Sequence, residues 1–310
     1  MKNFIVGTRG SELAMLQANW VVSQFPHLGI PIRFSFQQVA TLGDQKRHLA
    51  LTQFKGVGIF TNEIEQSLAE KSIDFAVHSL KDLPLQLANE FVIASLPKRE
   101  DPRDVFVSRD GRLLKELVNG ARIGTSSLRR TAQLKAAYPH LQTLPIRGPI
   151  DQRIEQLFTG DLDGIILAAA GLHRLQKTNY ITEYLPIDLF TPAAGQGALA
   201  IQCRKNDNTT IDLLQSIEDP HVKIATEVER SFVYALDQED KGPIGAYAES
   251  TEKGITLYVS IVSNDGETTI RYMTKGKTKE QVVADALRYC ISKGAKSIIQ
   301  SASRDLPESI

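Results

Sequence analysis

Short apolar runs that end in a polar turn and then a capped helix recur along this chain, and that repeated unit confines it to an α/β fold. Phe4-Ile5-Val6 reads as a strand, Gly7 to Gly10 turns the chain, and Ser11 can cap a helix running towards Phe25. Asp74 to His78 is a second strand and Phe91 to Leu96 a third. Arg122-Ile123-Gly124 enters Thr125-Ser126-Ser127, a cap for a helix that carries Arg129 and Arg130. Gly164 to Leu167 is a further strand. In open α/β sheets such turns gather at the carboxyl ends of the strands, where ligands bind. The unit that sets the fold class therefore also predicts where a site lies.

Two polar segments interrupt the pattern. Pro97-Lys98-Arg99-Glu100-Asp101-Pro102 and Thr191 to Gly197 both read as crossovers between domains. They predict a discontinuous first domain (1–97 with 198–217) around a second (98–197), an arrangement that resembles two-lobed binding proteins of the type II periplasmic kind. The last third changes style. Ile255 to Ile261 alternates apolar and polar, Asn264-Asp265-Gly266 marks a turn, and Thr268 to Met273 can return as a hairpin. Thr278 to Gln281 fits a capping box and Gly294 the stop of the following helix. This predicts a small α+β domain over 218–310. The chain contains no internal repeat and no low-complexity tract.

Composition excludes several functions. In 310 residues, 36 Lys+Arg balance 36 Asp+Glu, so no global field favours nucleic acid. No apolar run approaches the roughly 20 residues of a membrane helix. The start, MKNFIVGTRG, lacks a signal-peptide apolar region, which predicts a cytoplasmic protein. The two cysteines, Cys203 and Cys290, form neither CxxC nor a metal spacing; Cys290 reads as a core residue on a helical stripe and Cys203 as part of a strand, and no metal is expected. There is no phosphate loop, nucleophile elbow or HExxH, and GTRGSELA is not a dinucleotide fingerprint.

The cationic residues are clustered. Arg122, Arg129, Arg130, Lys135 and Arg147 fall between Ala121 and Ile150, a stretch with no Asp or Glu. Arg9, Arg153 and Arg174 lie near other strand-to-helix turns. Arginine recognises carboxylates bidentately, and helix N-termini add free N–H groups. For any single arginine a solvated surface pair is the simpler reading. For Arg129 and Arg130, directly behind a GTSS turn, an anion site weighs equally. Behind the second strand, Val77-His78-Ser79-Leu80-Lys81-Asp82 presents a carboxylate that could stabilise a cationic intermediate and guide its proton. A helix cap or a pair with Lys81 is the simpler reading of Asp82, and a satisfied buried histidine that of His78.

A set of strings then identifies a family resemblance: VGTRGSELA (6–14), DFAVHSLKDLP (74–84), REDPRDVFVS (99–108), GTSSLRR (124–130), IRG (146–148), DGIILAAAGLHRL (163–175), PAAGQGALAIQCR (192–204) and PIGAYAE (243–249). In order and spacing they resemble the porphobilinogen deaminase (hydroxymethylbilane synthase) family from end to end. The resemblance implies three domains, a monomer and a dipyrromethane cofactor held by a cysteine. The implied substrate is porphobilinogen, a small-molecule polycarboxylate, four units of which are joined with release of ammonia. It places Asp82 as the catalytic carboxylate. It gives Arg9, Ser11, Lys81, Arg129, Arg130, Arg147, Arg153 and Arg174 to the carboxylates of cofactor and substrate, with Thr125, Ser126, Ser127 and Gln196 adding hydrogen bonds.

The chain departs from the family at its primer loop. The family pattern is close to E-G-G-C-Q-V-P-I-G; Leu236 to Gly245 here is LDQEDKGPIG, and gapless alignment sets Asp240 at the cysteine position. A carboxylate cannot form the thioether, so covalent attachment is predicted to be absent. The lid pattern V-G-G-K-G-L-F reads Phe54 to Phe60 here, with Val57 for lysine and Lys55 two residues earlier. Pro149 replaces asparagine after Arg147-Gly148, and Leu42 stands where a basic residue is usual. Two readings follow: a hydroxymethylbilane synthase with a noncovalent primer or unusual anchor, or a paralogue that binds a pyrrole, linear tetrapyrrole or other polycarboxylate without polymerising it. A small-anion sensor is a weaker third.

Overall fold

The structure, a computed structural model, describes residues 2–25, 32–45, 61–237 and 242–304. Asp240, Lys55 and Val57 lie outside the described residues. The chain divides into two compact units, Met1–Glu100 with Ala198–Lys223, and Asp101–Gly197 with Ile224–Glu308.

The first unit contains β1 (Lys2–Arg9), α1 (Glu12–Ser23), β2 (Ile32–Val39), α2 (Leu42–Gln45), α3 (Asn62–Ala69), β3 (Phe75–Ser79) and β4 (Phe91–Ser95). The second opens with β5 (Asp104–Ser108), β6 (Arg122–Gly124), α4 (Leu128–Ala137), β7 (Gln142–Leu144), α5 (Ile150–Thr159), β8 (Gly164–Ala168), α6 (Ala169–Arg174) and β9 (Glu183–Tyr184). The chain then returns to the first unit with β10 (Leu199–Arg204) and α7 (Asn208–Gln215). Helix α8 (Pro220–Leu236) leads into β11 (Ile244–Thr251), β12 (Gly254–Val262), β13 (Thr269–Gly276), α9 (Lys279–Ser292) and α10 (Ala295–Arg304).

The two five-stranded sheets share one plan. The first is ordered β2-β1-β3-β10-β4 and the second β7-β6-β8-β5-β9. In each, three parallel strands are followed by an antiparallel strand that begins just after the chain has changed unit: β10 against β3, and β5 against β8. Those strands are sealed on both faces, which is why they read as continuous runs and not as alternations. Phe4, Val6, Phe75, Val77, Leu199 and Ile201 form the main core of the first unit with Ala18 and Val21 of α1. Val105, Val107, Ile165 and Leu167 do the same in the second with Ile154 and Leu157 of α5. The chain is α/β, as the strand-turn-helix pattern predicts.

The third sheet, β11-β12-β13, is antiparallel. Its β12–β13 turn uses Gly266 at φ +84°, and α9 ends before Gly294 at φ +89°. Thr278 caps α9 by accepting from Gln281 N, whereas the Gln281 side chain accepts from Lys277 N, one residue earlier than a capping box requires. Cys290 is fully buried on α9, and Cys203 on β10.

Glu229 of α8 fastens this sheet to the Thr191–Gly197 segment. It is fully buried, and its two carboxylate oxygens accept from Gly195 N at 2.7 Å and Ala248 N at 2.8 Å. Gly245 allows the close approach of β11, since a Cβ there would lie 2.5 Å from Thr191 O. Replacing Glu229 by alanine strands two buried N–H donors, and denaturant unfolding should show a loss of about 3–5 kcal/mol.

Candidate functional site

In the first unit the site is built where β1 and β3 end side by side. These strands pair in parallel through Val6–Phe75 and Gly7–Ala76, so the residues that follow them emerge at one sheet edge. Ser11 takes the capping position of α1 and accepts from Ala14 N at 3.3 Å. A small cavity of about 70 Å³ is lined by Arg9, Ser11, Gln17, His78, Ser79 and Asp82, among others. Gln17 Nε2 donates to Ser79 Oγ at 3.0 Å and closes one wall. Lys81 and Asp82 belong to a 3-10 turn directly behind β3, which Leu80 anchors by donating its N–H to Ala198 O. Asp82 is exposed and faces the cavity; Lys81 is half-buried and does not line it.

His78 is buried at 6% exposure. Burial pushes its pKa down to about 4, the neighbouring Gln202 side chain opposes this, and the charge of Arg9 adds to the fall. The imidazole is therefore neutral at physiological pH and is not a general acid in waiting.

In the second unit the GTSS turn serves its own loop first. Thr125 Oγ1 accepts from Ser127 N at 3.2 Å, and Ser127 Oγ caps α4 by accepting from Arg130 N at 3.4 Å. Ser126 Oγ donates to Ile146 O at 2.8 Å and accepts from Ile146 N at 3.1 Å. That clamp ties the β6–α4 turn to the segment bearing Arg147. On the far side, Gln156 Nε2 donates to Arg147 O at 3.1 Å and Arg153 Nε to Gly148 O at 2.7 Å, with Gly148 at φ +110°. The backbone around Arg147 is thus held from both flanks. Its Nη1 is buried and has no hydrogen-bond partner among the described residues, and burial lowers its pKa. Pro149 occupies the cap of α5 and supplies no side-chain acceptor. Arg174 Nη2 donates to Gly197 O at 2.8 Å.

Arg129 and Arg130 are 6% and 7% exposed, and both turn onto one fully buried carboxylate, Asp104. Arg129 Nη1 lies 2.7 Å from Asp104 Oδ2. Arg130 donates to Asp104 Oδ1 from Nε at 3.0 Å and from Nη2 at 2.7 Å. Gln196 Nε2 adds a bond to the same oxygen at 2.8 Å. The two guanidinium charges and their hydrogen bonds hold the Asp104 carboxyl far below the usual carboxylate range despite burial. Two cations against one anion leave one positive charge over in a nearly sealed setting. An anionic ligand group is the natural complement.

The structure therefore groups Arg9, Ser11 and Asp82 in one unit. In the other it groups Arg129, Arg130 and Gln196, and joins Ser126 to the Arg147–Arg153 segment. Sequence reasoning missed Asp104, Gln133 and Glu229. Asp104 did carry a signal: it is an acid at the head of a strand, DVFVS, whose every residue is buried. Among the described residues no cluster of His, Cys, Asp or Glu could hold a metal ion, and no helix is long and apolar enough to cross a membrane.

Two mixed sheets of one strand plan, each with cationic groups near its strand ends, define the class: an α/β protein. The family model described as "Porphobilinogen deaminase, dipyromethane cofactor binding domain" matches residues 4–212. Porphobilinogen deaminase of Brevibacillus brevis is 42% identical over 306 residues, covering 98% of this chain and 99% of the relative. That of Bacillus thuringiensis (strain Al Hakam) is 44% identical over 306 residues, with the same coverage. The chain belongs to the porphobilinogen deaminase family. Among solved structures, it is similar to a nutrient-binding protein from Burkholderia cenocepacia bound to methionine, at 13% identity and TM-score 0.44, over 76% of this chain and 96% of that one.

His78 makes stability depend on pH. With a folded pKa of about 4 against 6.5 unfolded, the unfolded state binds the extra proton between those values. Stability therefore falls as pH drops from 6.5 towards 4, by on the order of 3 kcal/mol at the limit. Urea midpoints measured across this range should show the loss, and His78→Gln should flatten it.

Proposed function

We propose that this protein is a hydroxymethylbilane synthase: it joins four porphobilinogen units head to tail, with its dipyrromethane held by charge and hydrogen bonds in place of a thioether. The observation that carries the reading is the surplus positive charge of the second unit, Arg129 and Arg130 against Asp104 alone, together with the unpartnered Nη1 of Arg147. Porphobilinogen and dipyrromethane both carry acetate and propionate arms, so this donor set fits either. Asp240 at the cysteine position cannot supply the sulfur of a thioether. When bound, dipyrromethane supplies the free pyrrole α-carbon at which the first carbon–carbon bond forms.

The residues have distinct tasks. Arg147, Arg153 and Arg174 bind carboxylate arms, with Arg129 beside them and Arg9, Ser11 and Lys81 in the first unit. Thr125, Ser127 and the backbone near Gln196 add hydrogen bonds. As the aminomethyl C–N bond of porphobilinogen breaks, ammonia leaves with the bonding pair and the ring nitrogen takes up positive charge. Asp82, exposed at the cavity wall, accepts the pyrrole N–H and stabilises that charge. The α-carbon of a second pyrrole closes the new bond, and loss of its proton restores aromaticity; Asp82 is placed to receive it. Neutral His78 adds no competing positive charge there. We assign 218–310 to a separate α+β domain, and the working form to a cytoplasmic monomer without a nucleic-acid or membrane partner.

The alternative, a paralogue that binds a polycarboxylate without polymerising it, makes the opposite forecast for turnover. Purified protein given porphobilinogen should release a product that oxidises to uroporphyrin at a steady rate; no product would leave only the binding reading. Arg147→Ala should raise KM for porphobilinogen at least about tenfold, since it removes charge-assisted bonds worth roughly 1.5–3 kcal/mol.

A further inference from the structure

The pairing around Asp104 is asymmetric. Arg130 is fully engaged: Nε and Nη2 reach Asp104, Nη1 donates to Ile166 O at 3.1 Å, and Nη2 also faces Gln196 Oε1 at 3.5 Å. Arg129 makes all its contacts through one nitrogen. Its Nη1 meets Asp104 Oδ2, Gln133 Oε1 at 3.3 Å and Thr191 O at 2.8 Å. Among the described residues Arg129 Nε and Nη2 donate to nothing, and neither is a sealed orphan atom. Gln133, itself fully buried, also donates to Thr191 O at 3.1 Å, which fixes the shared acceptor. One edge of the Arg129 guanidinium is locked and the opposite edge is left over.

We propose that Asp104 is a positioning residue that sets the charge of the carboxylate site. It cancels one of the two guanidinium charges, pins Arg129 by its Nη1 edge, and presents the Nε/Nη2 edge to one carboxylate of a polycarboxylate ligand. This rests on the reading that the second unit binds such ligands. Arg130 then acts through Asp104 and not on the ligand. The device limits the site to one surplus positive charge, enough for one carboxylate arm. An unopposed pair would carry two charges at a heavy desolvation cost in the empty protein.

Charge counting gives a test that a purely structural role fails. The site carries +1 in the natural protein, +2 in Asp104→Asn, 0 in Arg130→Gln and +1 in the double variant. In all four, Gln133 Oε1 and Thr191 O still hold Arg129 Nη1, so its free edge is kept. Affinity is read from ligand-induced thermal shifts and calorimetry, with citrate and porphobilinogen as separate probes at fixed ionic strength. The account expects Asp104→Asn to melt lower yet bind about tenfold tighter, and Arg130→Gln to bind about tenfold weaker. The double variant should return to within about threefold of the natural protein. A double variant that binds citrate no better than Arg130→Gln overturns the proposal, as does the absence of any citrate response across the set. Should Asp104→Asn fail to fold, Arg130→Gln and the double variant carry the comparison. Recovery with citrate but no porphobilinogen binding by the natural protein would leave Asp104's role standing and refute the substrate reading.

Discussion

A single buried carboxylate holds much of the second unit in place. Asp104 opens β5, the interior antiparallel strand of its sheet, and is fully buried. It gathers two arginines from α4 and Gln196 from the crossover segment. Such a cluster forms only because the charges arrive together: a carboxylate or a guanidinium sealed alone would cost several kcal/mol. The strand, the helix and the crossover thus share one electrostatic condition. The condition leaves a residual positive charge, two guanidinium groups against one carboxylate.

The fold was legible where local chemistry decides it. Ser11 caps α1, Ser127 caps α4, Gly266 turns the hairpin and Gly294 ends α9, each through residues a few positions apart. The apolar runs 75–79 and 164–168 became interior strands for the same reason. The site was legible only in outline. Arg129 and Arg130 stood out because the stretch 121–150 has no acid. Their counter-ion lies 25 residues upstream in an apolar strand, beyond any window of local charge counting. Glu229 sits in an ordinary helical sequence, and its two partners lie 34 and 19 residues away. Distance along the chain, and not weak chemistry, hid these groups.

The departures from the family are confined. Asp82 and the arginines of the family's strings are present, whereas the position at which the family carries its cysteine has Asp240. Pro149 gives α5 no side-chain cap beside Arg147, but the carbonyls of Arg147 and Gly148 are held by Gln156 and Arg153. The arginine–Asp104 cluster does not depend on a cysteine at position 240. A ligand held by several charge-assisted bonds can be retained without a covalent link, since each adds roughly 1.5–3 kcal/mol.

The proposed function has dipyrromethane held here without a covalent bond. Intact mass under denaturing conditions, on the preparation that turns over porphobilinogen, tests it most directly. The expected result is the mass of the bare polypeptide. A mass higher by two linked pyrrole units would contradict it.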